Sequence, residues 1–228
     1  MPDKILVIKL GALGDFIQAL QPFTAIRNHH PVGHITLLTS KPFVELANAS
    51  RLFDQVWVDN KPRALEISDW FILRSQLCSG NFTRVYDLQT SDRSSFYRLL
   101  FWPKQNPEWS GIASGCSHPH KNPKRNLMHT IERQTEQLNM AGGTGSNSTI
   151  SLDFFDAPVE QFALPNDIAL LVPGGARHRP EKRWPTEKYS ELARQLFVEG
   201  LAPVLLGSES EEKILEKIST ECPQAVNL

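Results

Sequence analysis

Lys4-Ile5-Leu6-Val7-Ile8-Lys9, followed at once by Leu10-Gly11-Ala12-Leu13-Gly14-Asp15, is the stretch that decides the fold. The run Ile5–Ile8 is short, apolar and rich in β-branched residues, and it predicts a buried strand. Gly11 and Gly14 mark a turn. Asp15 can then cap a helix in which Phe16, Ile17, Leu20 and Phe23 recur at helical spacing.

The same alternation continues outward. His34–Thr39, Gln55–Val58 and Arg84–Leu88 predict strands. Pro42–Ala47 can start a helix, Ile67–Leu77 is amphipathic, and Ser91 or Asp92 can begin the next helix. Strands alternating with helices imply a parallel sheet covered on both faces. Residues 103–126 hold four prolines and two glycines, and they predict a long loop. Met128–Met140 predicts a polar helix, Ala141–Ser148 a linker, and Leu152–Asn166 an extended segment.

A second strand–turn–helix unit follows. Ile168–Val172 predicts a strand, Pro173–Pro185 a glycine- and arginine-rich turn, and Thr186 the cap of a helix over Glu187–Glu199. Pro203–Leu206, Ser208–Ser219 and Ala225–Leu228 predict a strand, a helix and the start of a strand. Ile168, Leu170, Val172, Val204 and Leu206 are expected to build one parallel sheet. The expected fold class is α/β, with two Rossmann-like domains at 1–160 and 161–228. So few strands leave a bare sheet edge, so the second domain is expected to be incomplete and its apolar faces exposed.

Composition excludes several classes. With 40% hydrophobic and 21% charged residues the chain is globular, and a net charge of −1 provides no global pull on nucleic acid. Cys78, Cys116 and Cys222 are odd in number and lack metal spacing, which reads as reduced thiols in a cytoplasmic protein. The N-terminus lacks a signal-peptide pattern, and no run of about 18 apolar residues predicts a membrane span.

In open parallel sheets ligands bind at the C-terminal strand ends, against helix N-termini. Two places qualify. In Lys9–Asp15 the glycines are spaced GxxG, which is neither a dinucleotide fingerprint nor a Walker A loop. Asp15 facing a cleft can take a proton from a hydroxyl nucleophile. From pattern alone Asp15 reads first as a plain helix cap with Lys9 as its solvated ion partner, because Asp caps are common. In Val172–Pro185 a strand, the pair Gly174-Gly175, four Lys/Arg side chains and a helix start occur in the order that suits a diphosphate. A solvated basic loop is the competing account. Asp87-Leu88-Gln89 ends a strand and can bond a sugar or cap a helix. His118, His120, Lys121, Lys124, Arg125, His129 and Arg133 form a basic stretch that can meet an acidic glycolipid or merely be solvated. His118 and His120 do not make a metal site by themselves.

These motifs together resemble glycosyltransferase family nine, the ADP-heptose:lipopolysaccharide heptosyltransferases. Ile5-Leu6-Val7-Ile8-Lys9 with Leu13-Gly14-Asp15 and Pro22, Asp87-Leu88-Gln89, Pro173-Gly174-Gly175-Ala176 and Lys182-Arg183-Trp184-Pro185 occur in the family's order. The resemblance implies a two-domain GT-B scaffold with its active site between the domains. It implies inverting transfer of heptose from ADP-heptose to a hydroxyl of the lipopolysaccharide inner core. Asp15 matches the catalytic base, and Lys182 matches the donor-phosphate lysine. Gly174, Gly175 and Ala176 match the donor loop, where the best-known members carry hydroxyl side chains. Gly14, Lys61, Arg63, Asp87 and Gln89 fall on the acceptor side. No cofactor and no metal is implied. The partners implied are a nucleotide-sugar and a lipopolysaccharide core acceptor, with peripheral contact at the cytoplasmic face of the inner membrane and no nucleic acid. The family's Asp-x-Gly-x-x-His stretch does not occur, so the chain is expected to hold only part of the donor domain. Another nucleotide-sugar on the same scaffold, or a non-catalytic nucleotide- or glycan-binding module, are the alternatives.

Overall fold

A computed structural model of the protein describes residues 2–143, 153–155, 158–175 and 180–228. The chain divides into two compact units, Met1–Asp156 and Ala157–Leu228.

The first unit is built on six parallel strands: β1 (Lys4–Ile8), β2 (His34–Thr39), β3 (Gln55–Val58), β4 (Arg84–Asp87), β5 (Glu108–Gly111) and β6 (His118–Pro119). Their order is β3-β2-β1-β4-β5-β6, the doubly wound arrangement. Ile8 at the end of β1 stands between Leu38 of β2 and Asp87 of β4, which aligns the C-terminal ends of these three strands. Alternation sends Ile5 and Val7 to one face and Leu6 and Ile8 to the other. The first face is covered by α1 (Leu13–Gln18), α2 (Leu20–His29) and α6 (Thr130–Met140), through Phe16, Phe23, Ile26 and Leu138. The second is covered by α4 (Ile67–Ser79) and α5 (Asp92–Phe101), through Leu73, Leu77, Tyr97 and Phe101. Helix α3 (Val44–Ser50) flanks β3. Burial on both faces is why β1 reads as a continuous apolar run, and each fully buried aliphatic side chain contributes about 1.5–3 kcal/mol.

Several expectations are corrected. The first helix is two, α1 and α2, with Ala19 between them. Its N-cap is Ala12, so Asp15 is the third helical residue and not the cap. The segment 103–126 is not one loop, because it contains β5 and β6. Proline and glycine hide these strands in the sequence. They exist because β5 pairs with β4, Val85 opposite Trp109, and Trp109 is fully buried against Phe101. Helix α6 starts at Thr130, where the His129 side chain accepts the Ile131 N–H. The described parts of Leu152–Asn166 contain 3-10 turns at Asp153–Phe155 and Glu160–Phe162, where an extended segment was expected. Most of the predicted linker lies outside the described residues.

The second unit holds β7 (Ile168–Leu171), β8 (Ala202–Leu205) and β9 (Val226–Asn227), parallel in the order β7-β8-β9. Helices α7 (Thr186–Val198) and α8 (Glu212–Glu221) cover it with Ala193, Leu215 and Ile218, against Leu171 and Leu205. Val172 and Leu206 fall just past the strand ends, although the Leu206 N–H still donates to the Leu171 carbonyl at 2.9 Å. Pro185, and not Thr186, is the N-cap of α7. Leu170 and Val198 are largely exposed. Among the described residues no helix is long and apolar enough to cross a membrane.

Candidate active site

The aligned strand ends of the first unit open into a cleft of about 690 Å³. Leu10, Gly11, Ala12 and Asp15 line it from the β1–α1 turn, Ser40 and Phe43 from the end of β2, Lys61 from beyond β3, and Gln89, Ser91 and Arg93 from beyond β4.

The turn is held by its neighbours. The Leu10 N–H donates to Gln89 Oε1 at 2.9 Å. The Leu10 carbonyl accepts from Ser40 Oγ at 2.6 Å and from Lys61 Nζ at 3.2 Å. Gly11 has φ +129°, a region that L side chains rarely adopt, and a Cβ there would meet the Phe43 ring at 3.0 Å. Phe43 in turn stacks on Phe16 of α1, with ring centroids 5.2 Å apart. The turn that leads into α1 is therefore held from three other strand ends. Asp15 sits exposed in the first turn of α1, and among the described residues its carboxylate accepts one hydrogen bond, a long one of 3.4 Å from the Ala12 N–H.

Lys9 is not a solvated ion partner. It is 3% exposed, and its ammonium reaches the Leu88 carbonyl at 3.5 Å. Burial holds its pKa below the ordinary lysine value. Asp15 and Asp87 oppose that shift, and Arg133 adds to it.

Of the residues expected on the acceptor side, Lys61 and Gln89 line the cleft beside Asp15. Lys61 follows Asp59, whose carboxylate accepts the Lys61 N–H at 2.7 Å and the Tyr97 hydroxyl at 2.6 Å. Burial first, and then Asp59, pushes the Tyr97 phenol well above its ordinary range. Gly14 and Arg63 do not line the cleft: Gly14 is an exposed residue of α1, and Arg63 uses its N–H to bond Glu66. Asp87 is fully buried and accepts the Thr90 N–H at 2.9 Å, so it shapes the β4–α5 turn from beneath. Burial raises its pKa to about 6 against the pull of its hydrogen bonds. Arg93 was not foreseen. It donates to the Pro62 carbonyl at 3.1 Å and lies over the Trp70 ring. Its signal was available: a cation in the first turn of the helix that follows Asp87-Leu88-Gln89. An exposed carboxylate beside two cations, at the switch point of a parallel sheet, can deprotonate a hydroxyl on an anionic ligand.

The basic stretch is less available than its composition suggests. His120 is buried and bonded to Glu136 at 3.0 Å, with Arg125 donating to its other ring nitrogen.

In the second unit the diglycine follows β7. Gly174 packs so closely on Glu211 that a Cβ would lie 2.8 Å from its Cγ. The Gly175 carbonyl accepts from the Arg183 guanidinium. The Glu211 carboxylate accepts from the Ser208 and Ser210 hydroxyls and from the Ser208 N–H, and these bonds, the hydroxyls first, lower its pKa to about 2. Lys182 ends a 3-10 turn, Pro180–Lys182, and is exposed just before α7. Ala176, with Arg177 and Arg179, lies outside the described residues.

Two units of parallel α/β structure, each with a glycine-bearing turn after its first strand, make up the GT-B type of fold. Three solved structures share it: a family 9 glycosyl transferase from Veillonella parvula (22% identity, TM-score 0.74, 96% of this chain and 67% of that one), the E. coli heptosyltransferase WaaC bound to ADP-2-deoxy-2-fluoro heptose (18%, 0.71, 98% and 75%) and the E. coli ADP-heptose lps heptosyltransferase II (20%, 0.69, 99% and 72%). No curated protein matches the chain by sequence. The family model of glycosyltransferase family 9 (heptosyltransferase) matches residues 70–228, and the chain belongs to that family.

Proposed function

We propose that the chain transfers a heptose from ADP-heptose to a sugar hydroxyl of the lipopolysaccharide inner core, by inverting single displacement. The observation that carries the reading is the exposed Asp15 carboxylate in a cleft that also holds Lys61, Gln89 and Arg93. The first unit takes the acceptor and the second takes the donor. Asp15 accepts the proton of the acceptor hydroxyl. The oxygen bonds to the anomeric carbon from the face opposite the leaving group, the bond from that carbon to the diphosphate oxygen breaks, and its electron pair leaves with ADP. Charge grows on the diphosphate, where Lys182 and the backbone N–H groups of Gly174 and Gly175 stabilise it. Lys61 and Arg93 hold acidic groups of the acceptor. Cationic side chains meet the diphosphate, so no step calls for a metal. The acceptor sets the place of work, the cytoplasmic face of the inner membrane.

The test is incubation with ADP-heptose and a heptose-deficient lipopolysaccharide core. The expected result is ADP release with a product heavier by one heptose. Release of the nucleoside diphosphate from a different nucleotide-sugar, and not from ADP-heptose, would favour the second reading, another donor. That reading draws on the small residues Gly174, Gly175 and Ala176, where resembling enzymes carry hydroxyls. Binding without turnover of any donor would make the chain a binding module.

A further inference from the structure

We propose that the outer face of α4 and α5 docks on an anionic lipid bilayer. Both helices are apolar on two sides. Leu73, Leu77, Tyr97 and Phe101 face the core, yet Phe96, Leu99 and Trp102, three residues apart, are 45%, 59% and 73% exposed. On α4, Ile67 and Phe71, one turn apart, are 64% and 66% exposed, and Leu65 just before it is 91% exposed. Single exposed apolar residues are ordinary, but a contiguous patch marks an interaction surface. One apolar contact joins the two helices' residues at this face, and one polar contact ties α4 to the end of α5. Trp70 packs edge-on against Phe96, with centroids 5.3 Å apart, and Arg74 donates to the Trp102 carbonyl at 2.9 Å.

The charge around the patch selects the occupant. Arg63, Arg74, Arg93, Arg98 and Lys104 lie within or next to α4 and α5 along the chain, against Glu66, Asp69 and Asp92, in a chain whose net charge is −1. Tryptophan, phenylalanine and leucine ringed by arginine and lysine suit a headgroup–acyl boundary, where the apolar groups insert and the cations meet anionic headgroups. A second copy docked through the same face would oppose cations to cations across a two-fold axis. The patch also borders the cleft, because Arg93 lines the cleft and covers Trp70. A sugar anchored in that bilayer would be presented beside Asp15; this last point rests on the proposed acceptor.

The test is flotation of the full chain with phosphatidylglycerol-containing vesicles and with pure phosphatidylcholine vesicles, at low and at high salt. We expect partition into the anionic vesicles only, weakened by salt. The triple variant Phe71→Ser, Leu99→Ser, Trp102→Ser should partition at least about tenfold less, given the apolar area removed. Lys104→Glu should weaken it about tenfold at low salt, since a cation is replaced by an anion. If the triple variant fails to unfold cooperatively, the Lys104→Glu and salt arms decide. Absence of partition by the parent, equal partition into neutral vesicles, or a concentration-dependent dimer that the triple variant abolishes would each overturn the proposal. Flotation reads no turnover. Lipid partition without heptose transfer counts against the proposed function alone, and transfer to a soluble core sugar without partition counts against this surface alone.

Discussion

Replacing Asp15 by Asn separates its two roles, because the structure makes one of them weak. As a helix-start residue, Asp15 is exposed and its contact to the Ala12 N–H is 3.4 Å long. Asn keeps the shape and an acceptor oxygen, and loses only the favourable placement of a negative charge in a first helical turn, about 0.3–1 kcal/mol. In a chain of this size that lowers Tm by no more than about 2–4 °C. As a general base, its loss costs roughly 10²–10⁴-fold in rate. The expected outcome is therefore a folded Asp15→Asn variant with near-parental melting, unchanged ADP binding and turnover down by at least a hundredfold. Thermal unfolding, titration calorimetry with ADP and a coupled ADP-release assay measure the three quantities on one preparation. Turnover within tenfold of the parent would leave Asp15 with only its first-turn role in α1, and a large fall in Tm would show that its structural contribution is larger than this.

Lys182→Ala should weaken ADP binding by about tenfold or more and leave acceptor binding unchanged, since a charge-assisted bond to the diphosphate is lost; equal ADP affinity in calorimetry would sink that role. Gly174→Ala should destabilise the second unit by about 1–3 kcal/mol, because the new Cβ lies 2.8 Å from a Glu211 side chain held by two serines. Gly175→Ala, whose nearest contact is the movable Arg183 side chain at 3.4 Å, should be near neutral, and denaturant unfolding of the pair checks both. Asp87 has a folded pKa near 6, above its ordinary 3.8, so the folded state holds the proton more tightly. Its contribution is most favourable below pH 4, is lost as pH rises through 6, and costs up to about 3 kcal/mol above that. Asp87→Asn should therefore gain stability relative to the parent between pH 4 and pH 7, and a pH-independent difference would refute the assignment.

The alternation of short apolar runs with helical spacing was enough to read β1–β4, β7, β8 and most helices, because a doubly covered parallel sheet writes its burial into continuous β-branched segments. β5 and β6 were invisible for the opposite reason. Glu108-Trp109-Ser110-Gly111 has no strand periodicity, and it extends only because β4 supplies hydrogen-bond partners and the core takes Trp109.

By itself the sequence determined the α/β class, the two strand–turn–helix units and the turn that carries Asp15, since these follow from local spacing, glycine and helix-start chemistry. The rest depended on residues far apart in the chain. Ser40, Lys61 and Gln89 converge on the backbone of Leu10, and Arg93 joins them at the cleft. Lys9 and Asp87, both charged and at strand ends, turn inward and are buried. Which side of a strand end a polar side chain takes is set by register with neighbouring strands and by the helices packed over them, and only the tertiary structure decides that.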